Sequence, residues 1–170
     1  EATPGRYFQT ALRHILVNAE RRQPALTVHR PGVPSVDGVF LAIVQNSSPW
    51  TFLGPLPIDP CPRASFDTGL DLFGPRSLAV PHMLGHVRRF FTRTRRPYPF
   101  GGLLALHDQS EFTVSAAPSA SLQIDGDAVG LAVESVSLVT GGLRIQVDSA
   151  APFATRPDLI LEGPEGIAFG

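Results

Sequence analysis

Apolar residues recur along this chain in two rhythms. Between Arg6 and about Arg22, Tyr7, Ala11, Ile15 and Ala19 fall four apart with Phe8, Leu12 and Leu16 beside them. Arg13, Asn18 and Glu20 fall off that stripe. This is the period of an amphipathic helix, which Pro24 stops. From Ala25 the rhythm shortens to two: Leu26 and Val28 alternate with Thr27 and His29, which predicts a short strand running to Arg30, before the Pro31-Gly32 turn. Val36 to Gln45 predicts a longer strand whose centre, Val39 to Val44, is almost continuously apolar, as in a strand covered on both faces. Asn46 to Asp67 is polar, aromatic and rich in proline, and predicts a structured loop in which Trp50 and Phe52 find packing. Leu70 to Phe73 predicts another strand. Ser77 predicts a cap for a helix from Leu78 to about Thr94, with Pro81 accommodated in its first turn.

The remainder reads as strands. Gly102 to His107, Glu111 to Ala116, Ser121 to Asp125, Ala128 to Thr140 and Leu143 to Asp148 are short runs of Val, Leu, Ile and Thr, separated by Pro118, Gly126, Gly130 and Gly141-Gly142. The expected fold is mainly β: an antiparallel β-sandwich with one N-terminal helix and one inserted helix. Residues 1–150 are expected to form that domain, and residues 151–170 a Pro- and Gly-rich tail.

Composition narrows the function classes. The chain has 170 residues, 43% hydrophobic, with 16 Gly and 17 Pro, enough to bury a core. Its net charge of -1, with every basic residue an Arg, leaves no global footprint for nucleic acid. Cys61, the one cysteine, stands between Pro60 and Pro62 and has no partner for an internal disulfide. The N-terminal residues lack the build of a signal peptide, and no apolar run approaches the ~20 residues that span a bilayer. The expectation is a cytoplasmic protein, with peripheral contact at the inner membrane surface.

The usual catalytic signatures are mostly missing: there is no P-loop, no Gly-x-Gly-x-x-Gly and no His-Glu-x-x-His. His82 and His86 are four apart on the second helix, a spacing that suits two metal ligands, but have no third ligand nearby in sequence. Two acidic clusters remain. Asp125-Gly126-Asp127 stands between two strands, where Asp-Gly first of all signals a hairpin turn. Carboxylates on so rigid a turn can also serve as a general base or hold a cation near phosphate. Asp67-Thr68-Gly69-Leu70-Asp71 is an ordinary capped turn or a set of oxygen ligands for a hard divalent cation. A third feature is basic: Arg88, Arg89, Arg93, Arg95 and Arg96 interleave with Phe90, Phe91 and Tyr98. It suits a solvated helix end, or contact with an anionic membrane in which Phe90 and Phe91 enter the interface.

Taken in order, the apolar run Val39 to Asn46, the segment Pro62-Arg63-Ala64-Ser65-Phe66-Asp67-Thr68-Gly69-Leu70-Asp71-Leu72 and the turn Asp125-Gly126-Asp127 resemble the C-terminal domain of the diacylglycerol kinase, sphingosine kinase and bacterial lipid kinase family. The resemblance covers about Val39 to Asp148. It implies a substrate-side β-sandwich that meets an N-terminal nucleotide-binding domain at a cleft, with ATP as co-substrate and a lipid hydroxyl as acceptor. It implies Asp125, with Asp127 beside it, as the residue that deprotonates that hydroxyl. It implies Mg²⁺ near Asp67, Leu70 and Asp71, and substrate or membrane contact at Asn46, Arg88, Arg89, Phe90, Phe91 and Arg93. Three departures stand out. Asp127 replaces the family's Glu, Thr68 replaces the second acid of Asp-Asp-Gly, and the Gly-Gly-Asp-Gly-Thr segment that binds ATP is absent from these residues. The expected activity is therefore that of half a kinase, inactive alone. The alternative is a β-sandwich that binds lipid or another ligand without chemistry.

Overall fold

The computed structural model describes residues 25–92, 102–124, 127–140 and 142–147. The first expected helix, the end of the basic run from Arg93 and the tail lie outside them. The described chain is mainly β, with antiparallel sheets, one helix and no closed barrel among the described residues. It divides into two compact units, one built on residues 38–109 and the other on residues 25–37 together with those from 110 onward.

In the second unit the strands β1 (Leu26–Arg30), β2 (Val33–Val39), β8 (Glu111–Ile124), β9 (Asp127–Val139) and β10 (Gly142–Val147) form one sheet in the order β10-β9-β8-β1-β2, although β2 runs on into the first unit. Pro31-Gly32 joins β1 to β2. Pro presets the first turn position, and Gly32, at φ 71, supplies the left-handed second one. Across that hairpin Thr27 Oγ1 donates to Asp37 Oδ1 at 2.8 Å. Among the described residues of this unit, Val28, Phe112 and Val136 are the buried apolar side chains. Val28 pairs with Val114, which pairs with Val136.

The sequence splits β8 at Pro118, but the structure keeps one 14-residue strand. The split survives as an irregularity: opposite β9 the register slips between Ser115 and Ala120, the interval that contains the residue with no N–H to give. At the far end Ile124 pairs with Asp127, the register expected for a two-residue hairpin loop.

The first unit holds a three-stranded sheet, β3 (Ile43–Gln45), β6 (Leu70–Pro75) and β7 (Leu103–Gln109), in the order β3-β6-β7. It also holds the small hairpin β4 (Thr51–Leu53) and β5 (Leu56–Ile58), and the helix α1 (Val80–Thr92). The expected single strand Val36 to Gln45 is two strands in two sheets. An apolar run has no period to mark where the chain changes sheet. The signal that does is Gly38, whose φ of 81 turns the backbone just before Val39. Phe40 N–H then donates to Pro75 O at the end of β6. The expected loop after Asn46 likewise contains the β4–β5 hairpin. Trp50 and Phe52, expected to pack, are exposed.

The helix starts later than Ser77 suggested. Met83 N–H makes the first intrahelical bond to Ala79 O, while Ser77 Oγ accepts from Ala79 N–H. Its inner face meets the core of Ile43, Cys61, Ala64 and Phe73, against which Leu41, Phe90 and Leu103 pack. Phe73 is the pivot: His86 and Phe90 both stand edge-on to its ring, at centroid distances of 5.3 and 5.1 Å.

Truncating that pivot tests the packing. Phe73→Ala should lower unfolding stability by about 3–5 kcal/mol in urea titrations. Phe66→Ala, at an exposed position, should stay within about 0.5 kcal/mol.

Candidate functional site

The chemistry-bearing residues of the first unit gather where β3, β6 and β7 meet the proline-rich segment. Asp71, the second residue of β6, is 2% exposed. Its Oδ1 and Oδ2 lie 2.7 and 2.9 Å from His107 Nδ1, and Oδ1 also accepts Asp108 N–H at 3.0 Å. An ionised carboxylate only accepts, so His107 Nδ1 carries the proton and, in the neutral ring, Nε2 presents a lone pair. The His107 side chain keeps a quarter of its surface, Asp71 almost none. A ring nitrogen fixed by a buried carboxylate is the arrangement that orients a histidine to exchange a proton or ligate.

Gln45, the cross-strand partner of Asp71, is the second buried polar residue. Its Oε1 accepts Cys61 N–H at 3.0 Å, and its Nε2 donates to Ser47 O at 3.0 Å. Asp59, fully buried, accepts from Ser48 Oγ. Burial, then the nearby Asp71 and Asp59 carboxylates, push the Cys61 thiol up to about 12 despite the opposing charge of Arg89. Cys61 is therefore a packed thiol and not a nucleophile.

The turn before β6 is tightly built. Thr68 N–H and Oγ1 both donate to Ser65 O, and Asp67 N–H donates to Ser65 Oγ. Gly69 N–H donates to Asp108 Oδ1 at 2.8 Å. A Cβ at Gly69 would stand 2.4 Å from Gln109 O, so no other residue fits there without moving β7. Asp108 adopts φ 56, a conformation that Asp tolerates better than most residues.

Against these contacts the expected metal set changes. Asp71 is committed to His107 and to the Asp108 amide, and Leu70 is a β6 residue paired with Gln109. Asp67 alone offers an exposed carboxylate. No group of three His, Cys, Asp or Glu able to hold a metal occurs among the described residues. Of the two acids of the expected metal set, Asp71 is thus a buried acceptor within the fold and Asp67 an exposed carboxylate at its turn.

Asn46 is exposed immediately after β3. Arg88 and Phe91 are exposed on α1, whereas Phe90 faces the core and Arg89 is half-buried. Of the two expected phenylalanines only Phe91 is exposed, since helical geometry turns neighbours about 100° apart. Arg93 and Asp125 lie outside the described residues. Asp127 enters as the first residue of β9, in the second unit. Sequence reasoning missed Gln45, Asp59, His107 and Asp108. The available signal was a polar residue closing an apolar strand, which Gln45 and the pair His107-Asp108 both are.

No family model, no curated protein and no solved structure matches this chain.

Two predictions follow the buried groups. Asp71→Ala should release the His107 ring, seen as a shift toward the Nε2–H tautomer in ¹⁵N imidazole spectra. It should also cost about 1–3 kcal/mol, because Asp108 N–H loses its acceptor. His86 concerns pH. Burial, then the charges of His82 and Arg89, pull its imidazole from 6.5 down to about 4. Between those values the unfolded chain binds a proton that the folded chain refuses, so stability falls as pH drops from 6.5 toward 4. His86→Phe should flatten that part of the stability–pH curve.

Proposed function

We propose that this chain is the lipid-substrate domain of an ATP-dependent lipid kinase, which transfers phosphoryl from ATP to the hydroxyl of diacylglycerol or a sphingoid-type lipid. The observation that carries the reading is the order of three motifs: an apolar run closed by Asn46, the turn Asp67 to Asp71, and Asp125-Gly126-Asp127. The mainly antiparallel β fold and the pairing of Ile124 with Asp127, which leaves two residues for the hairpin loop, are consistent with it.

In this reading Asp125 accepts the proton of the lipid hydroxyl as its oxygen bonds to the γ-phosphorus of ATP. The bond to the leaving oxygen breaks, ADP departs, and the proton passes from Asp125 to solvent. Asp127 adds a second negative charge at the turn and favours proton uptake by its neighbour. Asn46 is kept as a substrate or membrane contact. ATP is held by a nucleotide-binding domain outside these residues. Mg²⁺ is expected as the ion that accompanies ATP, and no step is assigned to the turn at Asp67. Reaching a lipid acceptor requires peripheral contact with a bilayer. No helix among the described residues is long and apolar enough to cross one.

The test is phosphorylation of mixed diacylglycerol and sphingoid micelles by labelled ATP, with the chain alone and with a nucleotide-binding domain of this family. Product is expected only in the mixture, reduced at least about 100-fold by Asp125→Asn. A mixture that associates but makes no product would leave a lipid- or ligand-binding module without chemistry.

A further inference from the structure

The sheet of the second unit has two unlike faces. Val28, Val114 and Val136 stand in one cross-strand row, with Val28 and Val136 buried. Alternation turns their neighbours to the other face, where Thr27, Ser115 and Ser135 form one row and His29, Thr113 and Ser137 the next. A polar face is the ordinary counterpart of a buried one. What is particular here is how its groups are joined.

Thr27 stands directly opposite Ser115, yet its hydroxyl turns away to Asp37. Thr113 and Ser137, also directly opposed, bond each other at 2.9 Å. Ser115 takes the diagonal instead: His29 Nε2 lies 2.9 Å from its Oγ. Both groups are within reach of a ligand, since His29 is exposed and Ser115 half-buried. Ser115 is nevertheless firmly placed, on a strand paired on both sides, and directly after it β8 leaves its register with β9. Such irregularities are over-represented beside active sites. A hydroxyl and an imidazole nitrogen at this distance have the geometry of a nucleophile and its base.

We propose that Ser115 and His29 form a nucleophile–base pair that hydrolyses activated carboxylic esters. With the ring proton on Nδ1, His29 Nε2 takes the hydroxyl proton as Ser115 Oγ bonds the carbonyl carbon. The bond to the leaving alcohol breaks, and that alcohol receives the proton from His29. Water then attacks the acyl-serine, gives its proton to His29, and the acyl bond to Ser115 breaks as the proton returns to Oγ. Nothing is oxidised or reduced. Among the described residues no carboxylate bonds the His29 ring, so the pair lacks the third member of a triad. Its substrates are therefore esters whose leaving group is already acidic, such as a phenol. This activity is separate from phosphoryl transfer, and either reading can fail without the other.

The full chain is mixed with p-nitrophenyl acetate. The expected result is a burst of nitrophenol stoichiometric with the chain, with the acetyl group located on Ser115 by peptide mass spectrometry. Ser115→Ala should abolish burst and adduct, whereas Ser115→Cys, which restores a nucleophile, should carry the acetyl group as a thioester. His29→Gln keeps a hydrogen-bonding side chain that cannot take up a proton, and should slow acylation at least about 100-fold. It should keep the parent's urea midpoint, because position 29 is exposed. Absence of a burst, an acetyl group on a different residue, or acylation indifferent to His29→Gln would each overturn the proposal and leave the bond as a tie between β1 and β8.

Discussion

A carboxylate with almost no access to water stays charged only where donors replace the lost hydration, and much of the first unit follows from how that demand is met at Asp71. One donor is His107 Nδ1 and another is the amide of Asp108, both at the end of β7. To present that amide the chain turns through a left-handed Asp108, whose own carboxylate then reaches back to Gly69 N–H. The two strands are thus tied by reciprocal side chain to backbone bonds at the point where their ladder slips, between Leu70 and Leu72. Only Gly fits at position 69, because the carbonyl of Gln109 occupies the place of a Cβ. The turn, the slipped register and the orientation of the imidazole all meet at one buried carboxylate.

The proline-rich segment answers the same question in a different way. Residues 58 to 62 are all buried, and a buried irregular segment ordinarily strands backbone donors. Pro60 and Pro62 have no N–H to strand. The two donors left between Asp59 and Pro62 are met by Phe90 O, at the C-terminal end of α1, and by Gln45 Oε1, while Cys61 O accepts from Ala64 N–H. The prolines are part of what lets this stretch lie inside, and the bond to Phe90 ties it to the same helix that packs on Phe73.

These arrangements set what was legible in the sequence. The period-two strands β1, β7 and β10 and the start of β6 stand close to where alternation and turn residues predict them, because they depend on local pattern. The run from Val36 to Gln45 was read as one strand, since an apolar stretch covered everywhere has no period to show a change of sheet. Asp71 looked like a cation ligand because spacing reports which acids are near each other and not which of them is buried. Its bonding to His107, thirty-six residues away, leaves no mark on that spacing. Phe90 and Phe91 were grouped by adjacency, yet the core claims one and leaves the other to solvent.

This division of labour bears on what the family resemblance can support. Residues Thr68, Gly69 and Asp71 have an account in terms of folding: a bonded turn, an obligatory Gly and a buried acceptor for β7. A protein with this arrangement would keep those residues with or without phosphoryl transfer, so the likeness there speaks for the fold. Asp125-Gly126-Asp127 differs. A type I′ turn is satisfied by Asn-Gly as well as by Asp-Gly. A hairpin signal does not by itself require a carboxylate on both sides of that glycine. In the proposed kinase reading the case for chemistry therefore rests on Asp125-Gly126-Asp127 more than on either of the motifs that precede it.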